Sequence, residues 1–140
     1  MHNISSFAHC ARHFVFSLFL LLAFATPLLA DDIPESGKLT PEQGMLLLER
    51  YAYGGLTLLD VRTHREYEEA HASGAVNIPV AELAARADEV PSGPVLIICR
   101  SGRRAETASS ILRSLGRSEK DLWYLSGYTD YRNGTPLFHD

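Results

Sequence analysis

Helix-capping patterns recur along the chain and alternate with apolar runs. Thr40 and Gln43 enclose Pro41 in the arrangement of a capping box with a first-turn proline, which predicts the start of a helix. That helix continues through a leucine-rich segment to about Tyr51. The same capping pattern at Thr63 predicts a second, shorter helix. Composition favours helix in three later segments, which are residues 80–87, about 104–115, and a last turn over 129–133.

Apolar segments rich in strand-forming residues lie between these helices. Strands are predicted at residues 56–61, 75–78, 95–99 and 121–125. Apolar side chains fill successive positions in these runs instead of alternating with polar ones, which indicates strands buried on both faces. Such strands, separated by helices, favour an α/β fold with a mostly parallel sheet of about five strands and helices on both faces. The length of 140 residues, with 46% hydrophobic side chains, supplies the core of one domain.

The first thirty residues have a different pattern from the rest. Residues 14–25 form an almost uninterrupted apolar run after a weakly basic start. This length is typical of a secretory signal peptide, because a membrane-spanning helix needs about 20 apolar residues. We therefore predict a signal peptide over 1–30 that is cleaved after Ala30, a linker over 31–38 and one domain over 39–140. An uncleaved membrane anchor is the alternative.

The signal peptide predicts an exported protein with no stable membrane association after cleavage, periplasmic if the host is a Gram-negative bacterium. The chain has 13 Lys and Arg against 17 Asp and Glu, and this net charge of -4 argues against a nucleic-acid partner. Removal of residues 1–30 would leave one cysteine, Cys99, with no partner for an internal disulfide. A lone thiol in an oxidising compartment is either buried as a structural residue or used in chemistry.

The loop that follows Cys99 favours the second interpretation. Cys99 lies at the carboxyl end of the most apolar predicted strand, where ligands bind in parallel α/β sheets. Backbone N–H groups of the loop, the start of the next helix and three arginines would stabilise negative charge there. The loop therefore favours the thiolate, which is the nucleophilic form of cysteine. We predict that Cys99 is catalytic, and that an anionic substrate is bound by Arg100, Ser101, Gly102, Arg103 and Arg104.

Several segments of the chain together resemble the rhodanese (thiosulfate sulfurtransferase) homology domain. They are residues 58–62 with Glu66 and Tyr67, residues 71–79, residues 99–104 and residues 124–128. The resemblance covers about residues 39–138 and implies a three-layer rhodanese-like domain. It also implies that Cys99 takes a sulfane sulfur from a small anionic donor such as thiosulfate and becomes a persulfide. The persulfide would pass its sulfur to cyanide, a thiol or a protein acceptor, and no metal or organic cofactor is implied.

Other polar and aromatic residues favour structural roles. Asp60 and Arg62 end a predicted strand near the loop, and we predict an ion pair that orders the neighbouring turns rather than an acid catalyst. His64 and His71 have no third ligand at a useful spacing, so no metal site is predicted. The aromatic residues near the C-terminus are predicted to form core and pocket wall; they are Trp123, Tyr124, Tyr128 and Tyr131.

Two other functions remain open for the same loop. A cysteine phosphatase or arsenate reductase would use the same kind of anion site. A loop that resembles the phosphatase type has five residues between its cysteine and its arginine, whereas only four separate Cys99 from Arg104. The shorter loop favours sulfur, the smaller target. A non-catalytic module that binds an anion or a partner is the other alternative. The retained thiol disfavours it, because binding alone does not need an oxidation-prone side chain.

Overall fold

A computed structural model of the chain describes residues 33–140. The predicted signal peptide over 1–30 lies outside the described residues. The described strands and helices are, in chain order, β1 (Gly37–Leu39), α1 (Pro41–Arg50), β2 (Thr57–Asp60), α2 (His64–Glu69), β3 (Val76–Asn77), β4 (Val95–Ile98), α3 (Arg103–Ser114), β5 (Leu122–Leu125), β6 (Tyr128–Arg132) and β7 (Thr135–His139). Between residues 33 and 140, no helix is both long enough and apolar enough to span a bilayer.

The first five strands form one sheet in the order β1-β5-β4-β2-β3, and all neighbours in it are parallel. The predicted α/β fold with a parallel sheet of about five strands is therefore confirmed. One of these strands lies where a linker was predicted over residues 31–38. The short edge strand β1 begins at Gly37 and pairs with β5, with Gly37 opposite Trp123.

Strand β4 lies at the centre of this sheet and is buried on both faces. Ile97 belongs to the core between the sheet and α3, where it is clustered with Leu112. Leu96 and Ile98 point to the opposite face and are clustered with Leu47 of α1. Two helical layers thus enclose the sheet, which explains why β4 shows no polar alternation.

Both predicted capping boxes are present. The Thr40 hydroxyl accepts a hydrogen bond from the Gln43 N–H at 3.2 Å, and the Gln43 side chain accepts one from the Thr40 N–H at 3.0 Å. At the start of α2, Thr63 and Glu66 make the same reciprocal pair, at 3.3 and 3.0 Å. These bonds satisfy N–H groups that have no partner inside a helix, so they fix where α1 and α2 begin.

The prediction of a helix over residues 80–87 is wrong. The chain there makes successive turns and then a short 3-10 helix, Ala87–Glu89. Its hydrogen bonds reach only three residues back, as from the Glu82 N–H to the Pro79 carbonyl at 2.8 Å. Leu83 is the one side chain of the segment that is fully buried, so the segment has too narrow an apolar face to hold an α-helix against the core.

The prediction of a last helical turn over 129–133 is also wrong. Residues 128–139 form an antiparallel hairpin of β6 and β7, which meet across Asn133 and Gly134. These two residues have φ values of 51° and 78°, the left-handed conformation that a two-residue hairpin turn of type I′ requires. Phe138 of β7 packs into the core on the α1 face, so the hairpin completes that layer.

Candidate functional site

Cys99 follows the carboxyl end of β4 and begins the loop that leads into α3. Its side chain is 1% exposed, and its Sγ accepts a hydrogen bond from the Gly102 N–H at 3.1 Å. Gly102 caps α3 with a φ of 84°, and a Cβ there would come within 3.0 Å of the Ser126 Cα. Only glycine suits both the conformation and this close approach, so Gly102 brings a helix-start N–H group onto the sulfur.

Arg104, in the first turn of α3, makes a two-pronged ion pair with Glu66 of α2. The Nη1 and Nη2 atoms of Arg104 lie 2.6 and 2.8 Å from the two carboxylate oxygens of Glu66. The Arg104 guanidinium, with the N–H and hydroxyl of Thr63, lowers the pKa of Glu66 to about 2. Glu66 in turn raises the pKa of Arg104, and negative charge at Cys99 adds to this effect. Arg104 is therefore held by Glu66 within the electrostatic range of the sulfur.

The other arginines of the loop are exposed. Within residues 33–140, neither Arg100 nor Arg103 has an ion-pair or hydrogen-bond partner for its guanidinium, so both are available to an anion. The backbone of Arg100 is fixed, because its carbonyl accepts a hydrogen bond from the Thr129 N–H of β6 at 3.1 Å. Ser101 is exposed beside them, whereas Gly102 is buried.

Two clefts flank this loop. The first cleft has a volume of about 640 Å³ and is lined by, among others, Arg62, Glu66, Arg100, Asp130, Tyr131 and Arg132. The second cleft has a volume of about 400 Å³ and is lined by, among others, Lys38, Ser101, Arg103, Tyr124 and Tyr128. The predicted substrate-binding residues thus divide between two sides of the loop, and their contacts with substrate stay a prediction.

Asp60 and Arg62 form the expected ion pair near the loop. The Nη2 atom of Arg62 lies 2.6 Å from Asp60 Oδ2, and its Nε lies 2.9 Å from Oδ1. Tyr131 of the hairpin covers the pair: its hydroxyl donates to Asp60 Oδ2 at 3.3 Å, and the Arg62 guanidinium lies 4.4 Å from its ring centroid. Burial raises the pKa of Tyr131, and the Asp60 carboxylate raises it further. This geometry suits a structural pair closed off by a neutral phenol.

The histidines and aromatic residues singled out in the sequence make contacts of their own. His64 Nδ1 is paired with the Asn77 side chain, and His71 Nδ1 with the Tyr67 carbonyl, each at 2.8 Å. Among the residues from 33 onward, no cluster of three or more His, Cys, Asp or Glu could hold a metal ion. Of the aromatic residues, Trp123 is in the core. The other aromatic residues line the two clefts, with Tyr131 in the first and Tyr124 and Tyr128 in the second.

The roles of two residues of the site are not predicted by the sequence. Glu66 has the pattern of a helix cap, and nothing in the local sequence indicates that it pairs with Arg104. Tyr131 is predicted to line a pocket wall, but the contact between Tyr131 and Asp60 depends on the hairpin, in place of which a helical turn is predicted. An Asn-Gly pair between two segments is a hairpin signal, so Asn133 and Gly134 could have indicated that element.

A parallel α/β sheet with a cysteine loop at its carboxyl edge is the architecture of a known class of domain. The family model described as rhodanese-like domain matches residues 42–133. The chain therefore belongs to the rhodanese-like domain family, and the resemblance seen in the sequence is confirmed.

Individual relatives are similar over part of their length. An HTH-type transcriptional regulator of Mycobacterium tuberculosis is 39% identical over 102 residues, which cover 66% of this chain and 45% of the regulator. A thiosulfate sulfurtransferase of Escherichia coli is 38% identical over 61 residues, covering 41% of this chain and 59% of the relative. A solved rhodanese-like domain from Anabaena has a TM-score of 0.54 at 25% identity, over 65% of this chain and 68% of that one. The chain thus spans less than two thirds of the length of both sequence relatives.

Proposed function

We propose that the protein is a sulfurtransferase that carries a sulfane sulfur as a persulfide on Cys99. The observation that carries this proposal is the hydrogen bond from the Gly102 N–H to Cys99 Sγ, in a loop with two unpaired arginines. Membership of the rhodanese-like family and similarity to a thiosulfate sulfurtransferase support it. The donor is a small anion of the thiosulfate type, and the acceptor is cyanide or a thiol, free or on a protein.

The first half of the reaction loads the cysteine. The Cys99 thiolate attacks the outer sulfur of thiosulfate, so that a new S–S bond forms at Sγ. The S–S bond of thiosulfate breaks, and its electron pair leaves with sulfite. In the second half, the acceptor attacks the outer sulfur of the persulfide, and the electron pair of the broken bond returns to Cys99 as a thiolate.

The loop supplies stabilisation for both anionic states of the cysteine. The Gly102 N–H donates to the position where negative charge rests, and the buried setting strengthens that interaction relative to water. Arg104 adds a positive charge held in place by Glu66. Arg100 and Arg103 remain for the oxyanion end of the donor, since neither is engaged by an acidic side chain among residues 33–140.

Phosphate chemistry is less well supported by the same geometry. The loop is one residue shorter than the phosphatase-type spacing, which leaves less room for a tetrahedral oxyanion. Glu66 also occupies two of the five N–H groups of Arg104.

We further propose that the protein is exported and acts outside the cytoplasm. The apolar run over residues 14–25 supports this proposal. Fractionation of the native host would test it: the expected result is a processed chain in the exported fraction, and a full-length chain retained in the cytoplasm would contradict it.

The central experiment compares wild type with Cys99→Ser in the release of sulfite from thiosulfate, with cyanide as acceptor. Both variants are made in the unprocessed chain, in which Cys10→Ser is the matched control because it removes the other cysteine. We expect Cys99→Ser to lose about a thousandfold or more in rate and Cys10→Ser to keep the wild-type rate. Full sulfite release by Cys99→Ser would refute the mechanism. Hydrolysis of an aryl phosphate together with inertness toward thiosulfate would replace it by the phosphatase reading.

A further inference from the structure

The first cleft is built in part by a segment beyond the family match. The match ends at residue 133, whereas β7 covers Thr135–His139 and pairs along its whole length with β6. Strand β6 contributes Asp130, Tyr131 and Arg132 to the wall of this cleft, and β7 contributes Leu137 from beyond the match. The hairpin therefore forms one wall of the cleft.

The hairpin is fastened to the site at three points. The Thr129 N–H donates to the Arg100 carbonyl at 3.1 Å, and the Tyr131 hydroxyl donates to Asp60 at 3.3 Å. At its tip, the Gly134 carbonyl accepts a hydrogen bond from the Ser73 N–H at 2.8 Å. Residues between these points, including Arg132, line the cleft on a backbone that these bonds hold in place.

The unbalanced charge in the first cleft is positive. Of the acidic side chains that line it, Glu66 is paired with Arg104 and Glu69 with Arg65 at 3.2 Å, and Asp130 lies 3.0 Å from His139, which is a cation when protonated. The pKa of His139 is raised by the Asp140 carbonyl and by Asp130, which favours the charged form of that pair.

Of the arginines in the cleft, only one is neutralised. Arg62 is held by Asp60, whereas Arg100 and Arg132 have no partner within residues 33–140. The cleft thus offers two guanidinium groups, one from the cysteine loop and one from the hairpin. Guanidinium groups bind carboxylates with paired N–H donors.

The size of the first cleft indicates what kind of anion it suits. Its volume of about 640 Å³ lies in the range of pockets for organic ligands, and thiosulfate would fill only a small part of it. Arg100, the chain neighbour of Cys99, lines this cleft, whereas Cys99 itself is buried behind the loop. A larger molecule that holds a carboxylate in the cleft and extends its thiol to the cysteine loop uses both the space and the free charges.

We propose that Arg132 is a specificity-determining residue that, with Arg100, binds the carboxylate of a small organic thiol acceptor. This inference rests on the proposed sulfurtransferase function. The acceptor thiolate attacks the outer sulfur of the Cys99 persulfide, forming the S–S bond of a new organic persulfide. The bond between Cys99 Sγ and the outer sulfur breaks, and its electron pair restores the Cys99 thiolate, so no further oxidant or reductant is needed.

A pair of acceptors that differ in the carboxylate tests this assignment. With thiosulfate as donor, kcat/KM is measured for mercaptopropionate and for the neutral mercaptoethanol, and their ratio is compared among wild type, Arg132→Gln and Arg50→Gln. Arg50 is exposed in the last turn of α1 and lines neither cleft. Arg50→Gln therefore removes the same charge from the protein without changing either cleft. We expect the ratio to fall about fivefold in Arg132→Gln and to stay at the wild-type value in Arg50→Gln. An unchanged ratio in Arg132→Gln, or an equal fall in both variants, would overturn the proposal.

A binding measurement separates this inference from the proposed function. S-methylglutathione carries carboxylates but no thiol, so titration calorimetry reports binding without sulfur transfer. We expect binding to wild type and to Arg50→Gln, and about fivefold weaker binding to Arg132→Gln. Such binding, in a protein that formed no persulfide from thiosulfate, would uphold the cleft and refute the sulfurtransferase. Active sulfur transfer with no binding of this probe to wild type would refute the cleft and leave the sulfurtransferase standing.

Discussion

Glu66 is the residue that joins the local structure to the site. Its Oε2 atom accepts hydrogen bonds from the Thr63 N–H at 3.0 Å and from Arg104 Nη1 at 2.6 Å. The first bond starts α2, and the second holds the first turn of α3 beside the sulfur. A single carboxylate therefore fixes the start of α2 and the position of Arg104, whose guanidinium interacts electrostatically with Cys99.

Replacement of Glu66 should change stability in a pH-dependent way. Because the folded protein lowers the pKa of Glu66 from 4.5 to about 2, its contribution is fully present above pH 4.5 and is lost as pH falls toward 2. We expect Glu66→Gln to lower the free energy of unfolding by about 1 to 2 kcal/mol at neutral pH, with the difference shrinking at acidic pH. Urea unfolding across this range measures it.

Glu68→Gln is the matched control, since Glu68 is exposed on the same helix and has no ion pair among residues 33–140. Its effect should stay within about 0.5 kcal/mol at every pH. A cost of Glu66→Gln that remained the same at pH 3 and pH 7 would show that the ion pair with Arg104 is not its source.

At this scale the sequence indicates local partners and not distant ones. The pairing of Thr63 with Glu66 spans three residues, and the capping pattern alone predicts it. Arg104 lies 38 residues from Glu66, so no periodicity connects them. The three arginines after Cys99 were alike in the sequence, and only the fold separates the braced Arg104 from the free Arg100 and Arg103.

At the scale of elements, the β6–β7 hairpin is the feature that shapes the site most. A Cβ on Gly134 would overlap the hydroxyl of Ser73. The N–H of Ser73 also donates a hydrogen bond to the Gly134 carbonyl. Gly74 has nearly the same φ, 77° against 78°, but no atom within 4 Å of its would-be Cβ. These two glycines therefore differ in contact while sharing the same backbone requirement.

We expect Gly74→Ala to cost about 1 to 2 kcal/mol of unfolding free energy, from the left-handed backbone alone. Gly134→Ala should cost about 0.5 to 1.5 kcal/mol more, because the Ser73 hydroxyl must also leave its position. Thermal or urea unfolding of both variants gives the difference. Equal losses would mean that the contact with the Ser73 hydroxyl contributes nothing to stability.

The sequence predicts correctly those elements whose start or burial is determined by neighbouring residues in the chain. Two capping boxes mark α1 and α2, and a continuous apolar run marks β4. The segment 80–87 has helix-favouring alanines but only Leu83 fully buried, so tertiary packing overrode its propensity. In the hairpin, the Asn133–Gly134 turn decides the structure, and a reading based on composition overlooked it.

At the scale of the whole molecule, the parallel sheet gathers residues from distant parts of the chain at one edge. Asp60 ends β2, Cys99 follows β4, and the turn after β5 packs against Gly102. The alternation of strands and helices was enough to predict this edge as the site of ligand binding. It could not show which side chains would meet there, because that depends on the register of strands and on the hairpin.

The proposed function requires that Cys99 carries the transferred sulfur, and mass spectrometry after a single turnover measures whether it does. The purified unprocessed chain is mixed with one equivalent of thiosulfate, and peptide mapping distinguishes Cys99 from Cys10. We predict one added sulfur on Cys99, about one equivalent of sulfite, and loss of the added sulfur when a thiol acceptor follows. Sulfite released with no sulfur on Cys99, or a chain that thiosulfate leaves unchanged, would refute the persulfide mechanism.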